Sequence, residues 1–354
     1  MEKTREVVYI KSEYDNIFLP MDFETGEMLT HHRDYGPKRV LQQGERVFTK
    51  KQLKAFQEKL EQQKRFEGSR QEKFVQQKRG IQYPMGELKQ STLHYLMMLY
   101  PLFRYDEKPI LINNKKATSA TILKFWDLKK DLGTQVLNEL VEKEILKVIK
   151  GTGNTKYYTS TGKFVIKGQM DDKVDFTVKV FQEKLQEIVE KVEKEIKVYK
   201  QKEKIELYPL SLLAALIPFF HFQTFMFCKN YDEDIVKDKK GVLQALEENP
   251  NVIKKLPKIM MWRLSTGQDI QKLGRHQQQK IKIYFKILKN AGAMASFGGK
   301  EDIIFINPDL VFVSPQYQEG EWYRVIKMLF TQVNSEEVQT SGKKTNKKKE
   351  QKAK

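Results

Sequence analysis

Between Arg275 and Phe312 the chain changes from one hydrophobic period to another. In “RHQQQKIKIYFKILKN” the apolar residues Ile281, Phe285 and Leu288 recur at helical spacing, leaving cations and glutamines on the opposite side. “GAMASF” and “DIIFI” follow as two β-prone runs across Gly298-Gly299 and predict a hairpin. Gly292 suits the left-handed residue that closes a helix. Upstream, Thr266 or Ser265 can cap a helix over “GQDIQKLG”, with a turn near Gly274. Helix, turn, helix and hairpin in this order make a winged helix-turn-helix.

The same pattern occurs earlier in the chain. With Thr118 set on Thr266 and no gaps, Ile122 falls on Ile270, Phe125 on Leu273, Leu137 on Phe285 and Leu140 on Leu288. Tyr157-Tyr158 then falls on Phe305-Ile306. Before it, “LHYLMMLYPLFRY” matches “LSLLAALIPFFHF” with Pro101 on Pro218, so the second copy holds an insertion between Gln223 and Ile259. This internal repeat predicts an α+β, mainly helical fold: tandem winged helix-turn-helix domains joined by a long helix. The joining segment “FQEKLQEIVEKVEKEIKVYKQKEK” carries a narrow seam of Phe181, Leu185, Ile188, Val192 and Tyr199. That seam either packs within the chain or pairs with a second copy as a coiled coil. In the first copy Gly133 falls inside “KKDLGTQVLNELVEKEIL”. An interior glycine costs about 1 kcal/mol relative to alanine, so this helix is expected to begin at Thr134.

The flanks read differently. Residues 1–48 are expected to form a β-rich arm, with “VVYIK” and “IFLPMDFETGEML” as strands and “ETGE” as the turn. Residues 49–85 read as a basic linker, helical at “QLKAFQEKL” and flexible at “GSRQEKFVQQKRG”. The first winged domain is expected over 86–170, the long connecting helix over 171–204, and the second winged domain over 205–333 with its insertion near 223–258. The lysine-rich residues 334–354 have almost nothing apolar to bury and are expected to be disordered. Leu207 to Phe227 is about the length of a bilayer span. Pro209, Pro218, His221 and Gln223 interrupt it, and no membrane association is expected.

Charge narrows the function. Lysine and arginine number 64 against 46 acids in 354 residues, a formal charge of +18, which favours a polyanionic partner. Arg275, His276, Gln278, Gln279, Lys282 and Lys286 lie off the Ile281–Phe285–Leu288 stripe, and Lys300 sits at the tip of the following hairpin. Arginine pairs bidentately with guanine and glutamine with adenine in the major groove of DNA. In the first copy the corresponding candidates are Lys129, Lys130, Thr134, Gln135 and Asn138, with Lys150 and Lys156 on the hairpin. Glu139, Glu142 and Glu144 turn part of that helix away from DNA, so the first copy is expected to attract backbone and the second to read bases.

These segments resemble a known group. “DFETGEMLT”, “ELKQSTLHYLMMLYPLFRYDEKPIL”, the helix-turn-helix and “KYYTSTGKFVIKG” are similar to phage and plasmid winged-helix proteins, namely MarR-like regulators and RepL-type plasmid replication proteins. In that group the hairpin's second strand runs into asparagine-proline and then an aromatic strand. “IFINPDLVF”, Ile304 to Phe312, matches this, whereas the first copy has Thr159-Ser160 at that point. The resemblance covers about residues 20–170 and 207–315, and it implies sequence-specific DNA binding on a mobile element. The tandem arrangement is also similar to theta-type plasmid initiators.

Catalytic readings find little. “AGAMASFGGKED” lacks the spacing and the hydroxyl of a phosphate loop, since Glu301 follows Lys300. The five histidines include no His-hydrophobic-His triplet, and adjacent His31-His32 would face opposite ways in a strand. The single Cys228 allows neither an intrachain disulfide nor a cysteine zinc site and suits a reducing cytoplasm. We therefore expect a cytoplasmic, non-enzymatic, cofactor-free protein that binds double-stranded DNA. Its role is expected to be replication initiator or origin-binding factor, with transcription regulator, or adaptor for partition or structural assembly, as the alternatives. A homodimer is a further possible state, and the insertion near 230–250 is the expected surface for a replication or transcription partner.

Overall fold

The computed structural model describes residues 7–11, 17–22, 25, 27–30, 37–38, 73–78, 87–167, 177–203, 205–236, 241–297, 303–313 and 321–331. The chain divides into two units after Gln71. The first holds an antiparallel pair, β1 (Val7–Lys11) and β2 (Phe18–Asp22), whose Val8, Ile10 and Met21 make a small core. Asp22 closes its turn by accepting the Thr25 N–H at 2.8 Å.

The second unit opens with β3 (Phe74–Lys78). This segment was expected to be flexible linker. It is a strand because the small pattern Val75-in, Gln76-out, Gln77-in, Lys78-out has a partner to pair with, and Val75 is fully buried. α1 (Gln90–Leu99) is buried from Thr92 to Leu99 and tightens into a 3-10 turn at Pro101. β4 (Leu111–Ile112) and β5 (Lys115–Lys116) enclose a two-residue loop, Asn113-Asn114, at φ 49° and 61°. Asparagine tolerates this left-handed pair, which matches the strand twist. α2 (Ser119–Phe125) starts with a reciprocal Thr118–Thr121 capping box.

α3 (Lys130–Glu142) begins at Lys130 rather than Thr134. Gly133 is buried inside it, and a Cβ there would lie 2.4 Å from Leu123 Cγ. The glycine lets α3 cross α2 closely. Gly133→Ala should therefore destabilise the protein by about 1–3 kcal/mol, against the gain of about 1 kcal/mol usual in a helix interior. A urea midpoint that rises would contradict this crossing.

The first half ends in a hairpin of β6 (Leu146–Lys150) and β7 (Lys156–Ser160) and a short β8 (Val165–Ile166). β9 (Thr177–Phe181) then feeds directly into α4 (Gln182–Glu203), so the connection expected to be helical throughout begins as a strand. α5 (Pro209–Leu216) is wholly buried and ends in a 3-10 turn at Pro218. Leu207 to Phe227 is thus a short core helix followed by turns. No helix among the described residues is long and apolar enough to cross a membrane.

α6 (Val242–Glu248) lies in the insertion, and α7 (Lys258–Thr266) follows. The helix expected over “GQDIQKLG” is absent; the helix instead precedes it. Thr266 is the last residue of α7, its hydroxyl donates to Trp262 O at 2.8 Å, and Gly267 closes the helix at φ 70°. α8 (Arg275–Asn290), the hairpin β10 (Met294–Phe297) and β11 (Ile303–Ile306), β12 (Val311–Phe312) and a final helix α9, residues 321–331, complete the unit.

Hydrogen bonds repeat between the halves. Ile145 N–H donates to Leu140 O after α3, and Ala293 N–H donates to Leu288 O after α8. Glu144 and Gly292 take the same left-handed conformation, at φ 55° and 76°. Asn307 Nδ2 donates to Gly292 O at 2.7 Å, and Thr161 Oγ1 donates to Glu144 O at 2.6 Å. Thr161, not Thr159-Ser160, thus occupies the place of Asn307, because the first hairpin is longer. An extended segment after the first helix also pairs onto each hairpin: Ile110 N–H to Tyr158 O, and Phe227 N–H to Ile304 O.

The halves interlock. A four-stranded antiparallel sheet runs β12-β9-β3-β8, each half supplying an outer and an inner strand, with Gln76 opposite Lys179 at its centre. α1 and α5 pack together behind it. Gln77 Nε2 donates to Ala214 O at 3.3 Å. His94 Nδ1 accepts the Leu210 N–H at 3.3 Å, so its Nε2 carries the proton donated to Glu193 at 3.1 Å. In α4, Leu185, Ile188, Val192 and Ile196 are all at most 2 % exposed within the chain. The seam packs within the chain, the first of its two expected arrangements; Tyr199 is half-buried at its end, and Val198 is the one large apolar side chain exposed among the described residues of α4.

Candidate nucleic-acid interface

α8 is built with two chemically distinct sides. Ile281, Tyr284, Phe285, Ile287 and Leu288 are buried, which anchors the helix to α4 and α5. Arg275, Gln278, Gln279, Lys282 and Lys286 are exposed and, at helical spacing, fall together on the opposite side. No acid interrupts this helix from Arg275 to Asn290. Among the described residues Arg275, Lys282 and Lys286 have no carboxylate partner, so their fields add towards solvent. His276 is exposed but sits on the flank, where it lines an open groove of about 370 Å³ with Ile205, Leu207, Lys280 and Ile283. Burial pushes the Lys280 ammonium below its usual range, and Glu206 opposes that shift.

The connection from α7 to α8 is pinned. Trp262 Nε1 donates to Gln268 Oε1 at 3.1 Å, and Gln277 Oε1 accepts the Gly274 N–H at 2.9 Å. Arg263 pairs with Asp269. Gln278 Nε2 donates to Leu273 O at 3.0 Å, so its amide is engaged, whereas Gln279 has no side-chain hydrogen bond among the described residues. Gln279 is the freer of the two glutamines for a base edge. Lys300 lies outside the described residues.

α3 presents a mixed face. Thr134, Gln135 and Asn138 are exposed, with Asp131 and Glu142 on the same side. Lys129 and Lys130 stand exposed at its start. Glu139 is not on that face: it accepts the Lys89 N–H at 2.9 Å and the Thr92 hydroxyl at 2.6 Å, capping α1. Glu144 is neutralised by Lys163, which holds its carboxyl below the usual range. On the hairpin, Lys150 and Lys156 are direct cross-strand partners, both exposed and without a carboxylate partner among the described residues. Like charges so placed repel, and an anion between them removes the repulsion.

Two further cations join this hairpin. Lys115 and Lys116 are exposed on β5, and Lys116 Nζ lies 5.4 Å from the Tyr157 ring centroid. The signal for them was “INNKK”, an asparagine pair with left-handed tolerance between short strands. Among the described residues no three His, Cys, Asp or Glu side chains converge to hold a metal ion. No family model, no curated protein and no solved structure matches this chain.

Proposed function

We propose that this chain is a tandem winged-helix protein that binds double-stranded DNA sequence-specifically, as the replication initiator or origin-binding protein of a plasmid or phage. The observation that carries the reading is the acid-free outer side of α8, whose three cations have no partner among the described residues. In both halves a helix, a segment bonded to the hairpin, two helices and the hairpin follow in turn, with α6 added in the second, and this order supports the winged-helix reading. α8 would enter the major groove and read bases through Gln279 and Arg275. α3 and its hairpin would hold backbone through Lys129, Lys130, Lys150 and Lys156.

The two halves differ in their reading faces and interlock within one chain. This favours an asymmetric site bound by one molecule over the palindrome of a dimeric regulator, and iterated asymmetric sites are what an origin offers. The insertion carries exposed Asp232, Glu233 and Asp234. Lys254 offsets Glu233 there, and this surface of mixed charge suits a protein partner better than a phosphate backbone. Selection from a random duplex pool tests the reading. A single non-palindromic sequence should be enriched, and Gln279→Ala should cost about 1–3 kcal/mol at one base pair only. Enrichment of a palindrome would favour the regulator, and a pool that stays random would remove sequence-specific binding.

A further inference from the structure

Gln182 begins α4 and gathers three basic residues that neither reading helix uses. Its N–H donates to Lys73 O at 2.8 Å, and its Nε2 donates to Tyr100 O at 2.8 Å and to Phe103 O at 3.0 Å, immediately before Arg104. Its Oε1 accepts from Lys167 Nζ. Lys167 is 7 % exposed, and its ammonium lies 4.9 Å from the ring centroid of Tyr105, which is 49 % exposed. Lys73 and Arg104 are exposed. None of the three has a carboxylate partner among the described residues.

We infer that Lys73, Arg104 and Lys167 form a docking point for a phosphate of the DNA backbone, at the root of the β6–β7 hairpin. The inference rests on the DNA-binding reading above and adds a contact away from both α3 and α8. Buried cations are ordinarily paired, and among the described residues Lys167 has a neutral amide and a ring face but no carboxylate. Burial pushes its ammonium below the usual lysine range, and Lys73 and Arg104 push it further in the same direction. The fold therefore holds three positive fields that add, an arrangement a phosphate relieves.

Its position matches a backbone track. The 3-10 turn Tyr105–Glu107 lies against the hairpin: Glu107 pairs with Lys147 of β6, and Thr159 of β7 donates to Lys108 O at 3.0 Å. Lys150 and Lys156 stand at the other end of the same two strands. Cations at tip and root of one hairpin, about 13 Å apart along the strands, suit two separate phosphates of one duplex.

The test uses the full chain with Lys73→Ala/Arg104→Ala, and with Lys254→Ala, an exposed lysine already paired to Glu233, as the control. Affinity for duplexes of unrelated sequence is measured across a salt series. The double variant should weaken every duplex alike and lower the slope of log affinity against log salt by about 1. The control should match the wild type. Lys167→Met, read by the same slope with circular dichroism to verify folding, should act in the same direction. An unchanged slope in a double variant beside a wild type that binds duplex overturns the docking point and leaves the DNA reading standing. A wild type that binds no duplex overturns both. Saturable calorimetric binding of inorganic phosphate that the double variant abolishes, with duplex slopes unchanged, assigns the cluster to a free phosphate compound instead.

Discussion

Affinity for duplex DNA should fall by about three decades as salt rises from about 50 to about 200 mM, if about six phosphates are neutralised. The cations that would neutralise them are Arg275, Lys282 and Lys286 on α8, and Lys129, Lys130, Lys150 and Lys156 around α3 and its hairpin, all exposed. None is held by a carboxylate among the described residues, so binding need not break an ion pair first. By contrast Lys143, Lys147, Lys163 and Lys254, outside these faces, are paired with Glu87, Glu107, Glu144 and Glu233. Replacing Arg275, Lys282 and Lys286 together by alanine should lower the salt slope by about 3, one for each lost phosphate contact. Fluorescence anisotropy with a labelled duplex reads both quantities. Salt-insensitive binding, or a triple variant with the wild-type slope, would mean that α8 does not face DNA.

The part of the fold legible in the sequence is the part set by local periodicity. Ile281, Phe285 and Leu288 do form the buried side of α8, and Arg275, Gln278, Gln279, Lys282 and Lys286 are exposed opposite them. The halves also repeat their helix-closing bonds at Leu140 and Leu288, two residues matched by register alone. What local pattern misled was settled by tertiary partners. Gly133 reads as a helix breaker until Leu123 is brought against it. Thr266 has the side chain of a cap but ends α7, because Gly267 is the residue able to turn left-handed there. Phe74–Lys78 is too polar to signal a strand, and only its distant partners β8 and β9 make it one. Along the sequence the acids of α3 form one repelling group; in the fold Glu139 is a cap for α1, a role visible only once Lys89 and Thr92 lie beside it.

Leu213→Ala should cost about 2–5 kcal/mol and loosen both halves together. Leu213 is completely buried in α5, which packs against α1 of the first half and against α7 and α8 of its own. The sheet order β12-β9-β3-β8 places an inner strand of one half beside that of the other, so neither half closes its sheet alone. His94 holds Leu210 and Glu193 across the same junction, and Tyr284 reaches from α8 to Gln90 at 3.3 Å. A cavity at this centre removes contacts that both halves share, and the loss cannot stay in one of them. Native-state hydrogen exchange should show protection in α3 and α8 falling by the same free energy, and urea unfolding should remain a single transition. Such coupling would fix α3 and α8 at one separation, so that a duplex meets both or neither. Protection lost in residues 205–313 alone, with α3 unchanged, would show two independent domains and remove the basis for a single rigid site.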